Sequence, residues 1–461
     1  MRAVQVLLIS TYELGRQPFG LASPAAWLRH EGHEVTLADL SCSPLPDQAV
    51  AQAGLIAFFL PMHTATRLAL GLMEKVRAAN PGAHLCGYGL YAPLNEARLR
   101  SAGVATVIGG EFEQPLVDLA RRLAAGSDGA AAAPLVSIAR QQFRVPDRAS
   151  LPPLAEYARL VVNGSTRRVG YTEASRGCKH WCRHCPVVPV YRGVFRIVQA
   201  EVVLEDIRRQ VAAGAEHITF GDPDFLNGPG HAVPIIEALH REWPSLTYDV
   251  TAKIEHLLNH RNLIPVLKST GCLFVTSAVE SLDDAVLEKL AKGHTRAGFL
   301  EALALTRAAG LPLAPTFIPF TPWTTLESYR EFLREIAEWD LIRQVAPVQL
   351  AIRLLIPEGS LLLELPEIRS LVQPFDAHAL YYPWRNPNPA LDRLSTALMQ
   401  VVQQGDCHPP SREEIFRRVW DLAEGGPYPD DRPSNAQAPI PYLTEPWYCC
   451  AEPTEEQAAR F

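Results

Sequence analysis

The feature that most narrows the fold is an alternation of short apolar runs with amphipathic stretches, repeated in two series along the 461 residues. In the first series, "VQVLLIS" (Val4–Ser10) and "LIAFFL" (Leu55–Leu60) are continuous apolar runs, the pattern of strands buried on both faces of a parallel sheet. Further strands are expected at Glu34–Ala38, His84–Gly89 and Ala105–Gly110. Helices are expected from Ser23 to His30, over the amphipathic Thr64–Asn80, and over Glu113–Gly126, where Gly126 is a stop signal. This order predicts an α/β doubly wound, Rossmann-like sheet over residues 1–126, with ligands bound beyond the C-terminal strand ends.

The small-residue stretch "GSDGAAAAPLVS" and the Pro-rich "FRVPDRASLPPLAEYARL" then mark a linker, 127–165. A second alternating series runs from Val169 to Ile356 and holds about six strand–helix units, the last strand being "VQLAIRLLI". That predicts a partial or full (β/α) barrel over 166–375, with its site at the C-terminal strand ends. Residues 376–461 read as a mostly helical and irregular C-terminal region, in which Ser411 and Glu414 have capping-box spacing.

Hydrophobic residues make up 48% and the net charge is -7, a soluble globular composition with no overall basic surface for nucleic acid. No run approaches ~20 apolar residues, and the N-terminus lacks a secretory signal, so no membrane association and a cytoplasmic location are expected. There, thiols stay reduced, and nine cysteines, an odd number, do not suit a closed disulfide framework.

Three of those cysteines, Cys178, Cys182 and Cys185, fall in "SRGCKHWCRHCP" with C-x3-C-x2-C spacing. A structural zinc site wants four ligands, and His180 or His184 could supply the fourth. An iron–sulfur cube held by three thiolates instead leaves one iron open to a substrate or cofactor. The loop follows the first strand of the second series, at the end where barrel sites lie.

This spacing, with Trp181 before the second cysteine, resembles the radical S-adenosylmethionine (radical SAM) superfamily. The resemblance implies a [4Fe–4S] cluster on Cys178, Cys182 and Cys185, and S-adenosylmethionine chelated at the open iron through its amino and carboxylate groups. It also implies an electron donor such as flavodoxin or ferredoxin, and cleavage of a carbon–sulfur bond, usually to a 5′-deoxyadenosyl radical. "GDPDF" (Gly221–Phe225) stands where the family has a Gly-Gly-Glu-like motif, and it offers Asp222 and Asp224 instead of a glutamate. "SAVESLDDAVLEKLAKGHT" resembles the fourth-strand pattern and places Glu280 and Ser281 near the cofactor's ribose or amino-acid end. Thr316 opens "TFIPF", which matches the fifth-strand adenine region, and Lys253 and Arg353 are candidate cations for the cofactor's carboxylate. The alternatives are plain: a strand-end acid as a helix cap, and Arg353 as a structural ion pair.

"RQPFGLASPAAWLRHEGHEVTLADL" and "VIGGEFEQPLVDLARRL" resemble the N-terminal domain of cobalamin-dependent radical SAM enzymes, making cobalamin a candidate cofactor. The Asp-x-His-x-x-Gly loop that supplies a lower axial histidine is missing; "TYELGRQPFG" has no histidine. Members of that class can bind cobalamin without it; otherwise the sheet serves packing.

The tail "EPWYCCAEP" resembles the radical SAM family named for a terminal Cys-Cys-Ala-Glu-Pro, the CUAEP/CCAEP family. Adjacent Cys449 and Cys450 suit a thiophilic acceptor, unless they only anchor the tail. The expectation is transfer of a 3-amino-3-carboxypropyl or methyl group to a small-molecule or metalloid substrate such as trivalent arsenic. The alternatives are a cobalamin-dependent methyltransferase acting on carbon or phosphorus, and a non-catalytic metalloid-binding protein.

Overall fold

The computed structural model describes residues 3–127, 136–403, 410–429 and 439–445. Six strands form the first sheet: β1 (Gln5–Ser10), β2 (Glu34–Asp39), β3 (Leu55–Phe59), β4 (His84–Tyr88), β5 (Thr106–Gly110) and β6 (Val136–Ser137). Their order is β2-β1-β3-β4-β5-β6, all parallel, with β1 registered on both neighbours (Val6 opposite Val35 and Leu55). The connecting helices are α1 (Phe19–His30), α2 (Asp47–Gln52), α3 (His63–Ala79), α4 (Glu96–Ser101) and α5 (Glu113–Ala124). The apolar runs are continuous because both faces are covered. Leu7, Ile9, Ile56 and Phe58 enter one core, and Val6, Leu8, Leu55 and Ala57 the other.

Helix α1 starts at Phe19, four residues before the expected Ser23, and carries Pro24 inside it. A proline there removes the donor that would serve the Gly20 carbonyl one turn back. The buried Tyr88 hydroxyl takes that place, donating to Gly20 O at 2.8 Å. A side chain at Gly20 would also collide with the Phe59 ring, 2.2 Å from the Cβ position.

Strand β6 lies inside the expected linker, and so does β7 (Arg159–Val162), which opens the second sheet. That sheet continues with β8 (Ser165–Thr172), and a small ribbon of β9 (Ser175–Gly177) and β10 (Phe195–Ile197) brackets the cysteine loop and α6 (Val187–Tyr191). Next come α7 (Ala200–Ala212), β11 (His217–Phe220), α8 (Pro229–Glu242), β12 (Thr247–Thr251), α9 (Ile254–Asn259), α10 (Ile264–Ser269) and β13 (Cys272–Glu280). The series ends with α11 (Asp284–Lys289), α12 (Arg296–Ala308), β14 (Leu313–Phe317) and α13 (Leu326–Glu338). Strands β8 and β11 to β14 pair in parallel, while β7 and β15 (Tyr442–Leu443) extend the β8 edge antiparallel.

The barrel is therefore partial. The expected strand over "VQLAIRLLI" is replaced by a 3-10 turn at Pro347–Leu350 and one parallel bridge, Phe320 to Arg353. The reason is local. Gln349 turns its side-chain carbonyl onto the backbone N–H of Phe317 at 2.7 Å, so a side chain occupies an edge donor that a sixth strand would have used. Helices α14 (Pro366–Leu371), α15 (Pro389–Gln403) and α16 (Arg412–Glu424) follow, the last with the expected Ser411–Glu414 capping box. Among the described residues no helix is long and apolar enough to cross a membrane.

Candidate iron–sulfur and cofactor site

The cysteine loop leaves β9 at the C-terminal mouth of the half-barrel. Gly177 turns the chain there with φ +76°, and a side chain on it would strike the Tyr191 ring and Val194 O at 2.4 Å. Asn227 holds the loop from the next strand connection: its Oδ1 accepts from Lys179 N at 3.3 Å and stands 3.9 Å from Cys178 Sγ. Cys182 and Cys185 are tied by a turn, Cys185 N to Cys182 O at 3.1 Å.

Burial, and after it the neighbouring thiols, push Cys185 up to about 12, and burial pushes Cys178 up as well. Thiols that burial holds protonated, as it does Cys178 and Cys185, need a strongly cationic centre to become thiolates. Among the described residues, the one set of three Cys, His, Asp or Glu donors lying within 4.8 Å of one another is Cys178, His180 and Asp224. His184, a candidate fourth zinc ligand, is bonded to Glu280 Oε1 at 3.2 Å. Three cysteines on one loop are the donor set that an iron–sulfur cube with one open iron takes.

The acids that follow β11 have separate roles. Asp222 accepts from Ala174 N at 2.9 Å and Ser175 Oγ at 2.5 Å, and burial raises its carboxyl to about 7. It clamps the start of the cysteine loop, with one hydrogen bond on each oxygen. Asp224 caps the following turn through Leu226 N at 3.1 Å, and its other oxygen faces His256 Nδ1 at 2.7 Å and His180 Nε2 at 3.7 Å. The His256 contact is too far out of line to count as a hydrogen bond, so Asp224 Oδ2 and His256 Nδ1 are both buried without one.

Glu280 ends β13 at a break in register and holds φ +70°, a left-handed conformation that turns its side chain into the mouth. Burial alone would raise its carboxyl, but Lys292 and His184 outweigh that and hold it at about 2. Lys292 Nζ lies 3.3 Å from Glu280 Oε1 and is itself buried, its charge favoured by Glu280, Cys182 and Cys185. Burial, Lys253 and His256 push His180 down to about 4, and burial beside Lys292 and Lys253 does the same to His294, so both rings are neutral near pH 7. Both ring nitrogens of His294 and Nδ1 of His184 are buried and unbonded. The mouth therefore presents buried donors and acceptors that an amino, carboxylate and hydroxyl-bearing ligand can satisfy.

Lys253, at the end of the third barrel strand, lies in this mouth 3.5 Å from Glu255. Ser281 forms a turn by accepting from Asp283 N, and Thr316 sits half-buried on β14 opposite Ala278. Arg353 is elsewhere. It binds Asp392 Oδ1 at 2.7 Å, Ser395 Oγ and Trp384 O, and stacks 4.1 Å from the Trp384 ring centroid. It anchors α15 as a structural ion pair, the alternative open to this residue. Cys449 and Cys450 lie outside the described residues. Sequence reasoning missed Lys292, His256 and His294. Lys292 and His294 stand in the quoted fourth-strand segment, but nothing in its spacing marks them.

In the first domain, the loop that would face a corrinoid is engaged. Thr11 Oγ1 donates to Ala65 O, Tyr12 OH to Glu445, and Gln17 bridges Pro152 O and Arg148. His63 is bonded to Ala379 O at 2.7 Å, and burial lowers it to about 4. No imidazole in Thr11–Gly20 offers itself to cobalt, so a corrinoid there would be held without a protein axial ligand from that loop.

A half-barrel with three cysteines on the loop after its first parallel strand, joined to a doubly wound parallel sheet, defines the class: a two-sheet α/β protein with a candidate cluster site at the barrel mouth. Residues 172–336 match the Radical SAM superfamily, and the chain carries a domain of that family, whose members use a [4Fe–4S] cluster and S-adenosylmethionine. It is 27% identical over 185 residues to the hopanoid C-3 methylase of Methylococcus capsulatus, covering 40% of this chain and 35% of that protein. It is 29% identical over 185 residues to a tRNA-2-methylthio-N(6)-dimethylallyladenosine synthase of Desulfosudis oleivorans, covering 38% of each. The chain thus spans about a third of the length of the curated relatives it matches. Two solved structures share its fold nearly end to end. The cobalamin-dependent S-adenosylmethionine radical enzyme OxsB, with aqua-cobalamin and S-adenosylmethionine bound, has a TM-score of 0.70 at 15% identity, covering 92% of this chain and 71% of that one. The radical S-adenosylmethionine methyltransferase TsrM from Kitasatospora setae has 0.67 at 15%, covering 91% and 95%.

Proposed function

We propose that this radical SAM enzyme transfers a carbon group from S-adenosylmethionine, and that methyl transfer with cobalamin is the reading its relatives favour. The observation that carries it is the shared architecture: the likeness to the cobalamin-dependent enzymes runs through the first sheet as well as the half-barrel. When bound by Cys178, Cys182 and Cys185, a cluster supplies the electron that cleaves a carbon–sulfur bond. Asp224, Lys253, Glu280, Ser281 and Thr316 are the candidates for binding and orienting S-adenosylmethionine. Glu280, held anionic by Lys292, suits the cofactor's amino group or ribose hydroxyls; Lys253 suits its carboxylate. The exposed Trp181 lies against Gly193 beside exposed Lys179 and Arg192, a surface suited to an acidic electron-donor protein.

A second reading rests on the sequence of the tail. The Cys449–Cys450 pair fits a thiophilic acceptor such as trivalent arsenic, with transfer of a 3-amino-3-carboxypropyl or methyl group. Product analysis under anaerobic conditions separates the readings. Methyl transfer leaves S-adenosylhomocysteine, adenosyl-radical formation leaves 5′-deoxyadenosine, and aminocarboxypropyl transfer leaves methylthioadenosine. Stoichiometric cobalt with the first two products supports the cobalamin reading. Methylthioadenosine that depends on arsenite and is lost in C449S/C450S replaces it with the second. No nucleoside product at all, with iron and sulfide present, refutes both.

A further inference from the structure

Away from the barrel mouth, a cavity of about 590 Å³ opens where α1 and α5 meet the segment 137–144. Its walls include Trp27, Gln114, Arg122, Arg140, Gln141 and Arg144. Two features mark it as built for a ligand. Arg122 has its Nε and Nη2 donors buried with no hydrogen-bond partner. Trp27 is 8% exposed, and its indole N–H is likewise buried and unbonded. Buried donors left unmade are costly, and native proteins seldom keep several in one place without something to fill them.

The charge balance gives the sign of the occupant. Three arginines line the cavity against one acid, Asp118. That acid is already engaged: its Oδ1 accepts from Gln114 Nε2 at 2.9 Å and faces Arg121 Nη1 at 3.4 Å. Arg144 lies over the Trp27 ring, 5.7 Å from its centroid, which fixes the guanidinium next to the unbonded indole donor. A planar guanidinium pairs through two parallel N–H bonds with carboxylate or phosphate oxygens. The volume falls within the ~300–1,000 Å³ usual for small-molecule sites and exceeds what a lone inorganic ion needs.

We propose that this cavity binds a small molecule bearing a multivalent oxyanion, a phosphate or a polycarboxylate, through Arg122, Arg140 and Arg144, with Trp27 Nε1 as an added donor. The site stands apart from the three-cysteine loop and does not depend on the reaction assigned to it. The test is isothermal titration calorimetry of the full chain, purified without oxygen, with inorganic pyrophosphate, citrate and uncharged glucose as probes. One of the two anions should bind one-to-one with Kd below about 1 mM at moderate salt, and glucose should not bind. Added salt should weaken the anion. R122Q and the pair R140Q/R144Q should each weaken it roughly tenfold or more, with melting temperature and circular dichroism unchanged. Should either variant misfold, W27F removes the indole donor together with part of the ring beneath Arg144 and should still weaken binding. Tighter pyrophosphate assigns a phosphate ligand, and tighter citrate a carboxylate. The proposal is overturned if neither anion binds below about 1 mM, or if the folded variants bind as the parent does.

Discussion

The contact that ties the first sheet to the barrel should be the most sensitive point in the fold outside the cysteines. Arg176, two residues before Cys178, is buried with its guanidinium on Glu113 (2.7 and 2.9 Å), Glu173 (2.6 Å) and Glu111 (3.4 Å), and within 5.5 Å of the Phe19, Phe112 and Phe143 ring centroids. Burial works against ionisation of Glu113, yet Arg176 keeps it below the usual carboxylate range. Arg176→Met leaves that carboxylate buried with no cation. Breaking such a pair costs about 3–5 kcal/mol. Protonation sets a ceiling of similar size: forcing a carboxyl of ordinary pKa near 4.5 to hold its proton at pH 7 costs about 3.4 kcal/mol, and at pH 5.5 only about 1.4. The deficit should therefore shrink on acidification, because the variant takes up a proton that its unfolded chain does not bind until about pH 4.5. Urea unfolding followed by circular dichroism at pH 7 and pH 5.5 reads both quantities. R176M/E113Q, which removes the orphaned Glu113 charge, should regain part of the loss, the remainder lying with Glu173 and Glu111. A deficit under about 1 kcal/mol at pH 7, or one that grows as pH falls, would refute the electrostatic account.

Three further substitutions test neighbouring buried contacts. Lys292→Met should cost about 3 kcal/mol at pH 7 and E280Q/K292M much less; since Glu280 titrates near 2 when folded, the pair's contribution is present above pH 4.5 and fades towards pH 2, and equal urea midpoints for single and double variants would count against it. Glu111, raised to about 7 by burial, holds its proton longer folded than unfolded, so stability falls as pH rises from 4.5 to 7; Glu111→Gln should be more stable than the parent at pH 8, by at most about 3 kcal/mol, with the gap closing near pH 4.5 in melting curves. Tyr88→Phe strands the Gly20 carbonyl that Pro24 already fails to serve, and should lower stability by about 1–3 kcal/mol with faster amide exchange in α1; an unchanged urea midpoint would contradict that role.

What the sequence made legible are the features written in covalent spacing. The five long strands of the first sheet were readable because residues such as Leu7 and Val6 face two separate cores, which leaves no polar position in the run, whereas the two-residue β6 and the edge strand β7 offered no such run. The three cysteines were readable because a ligand triad on one loop is a local pattern, and the Ser411–Glu414 box for the same reason. Features that depend on chain closure were not. A strand-end acid looks the same whether it faces a cofactor or, as Asp222 does, a serine 47 positions earlier in the chain. Arg353 in an apolar run gave no sign that Asp392 would come to meet it, and no periodicity reveals that Gln349 fills a sheet edge. Lys292 is the informative case, since its partner Glu280 is only 12 residues away. The obstacle there was the left-handed turn at Glu280, which breaks the strand's alternation and sends the side chain into the mouth instead of along the sheet face. Strain of that kind is retained where the surroundings over-determine it. At this position the surroundings are a buried ammonium and a histidine of the cysteine loop, and the ammonium is in turn drawn to Cys182 and Cys185, so the lysine that no spacing marks is fixed through the glutamate that the fourth-strand segment does mark.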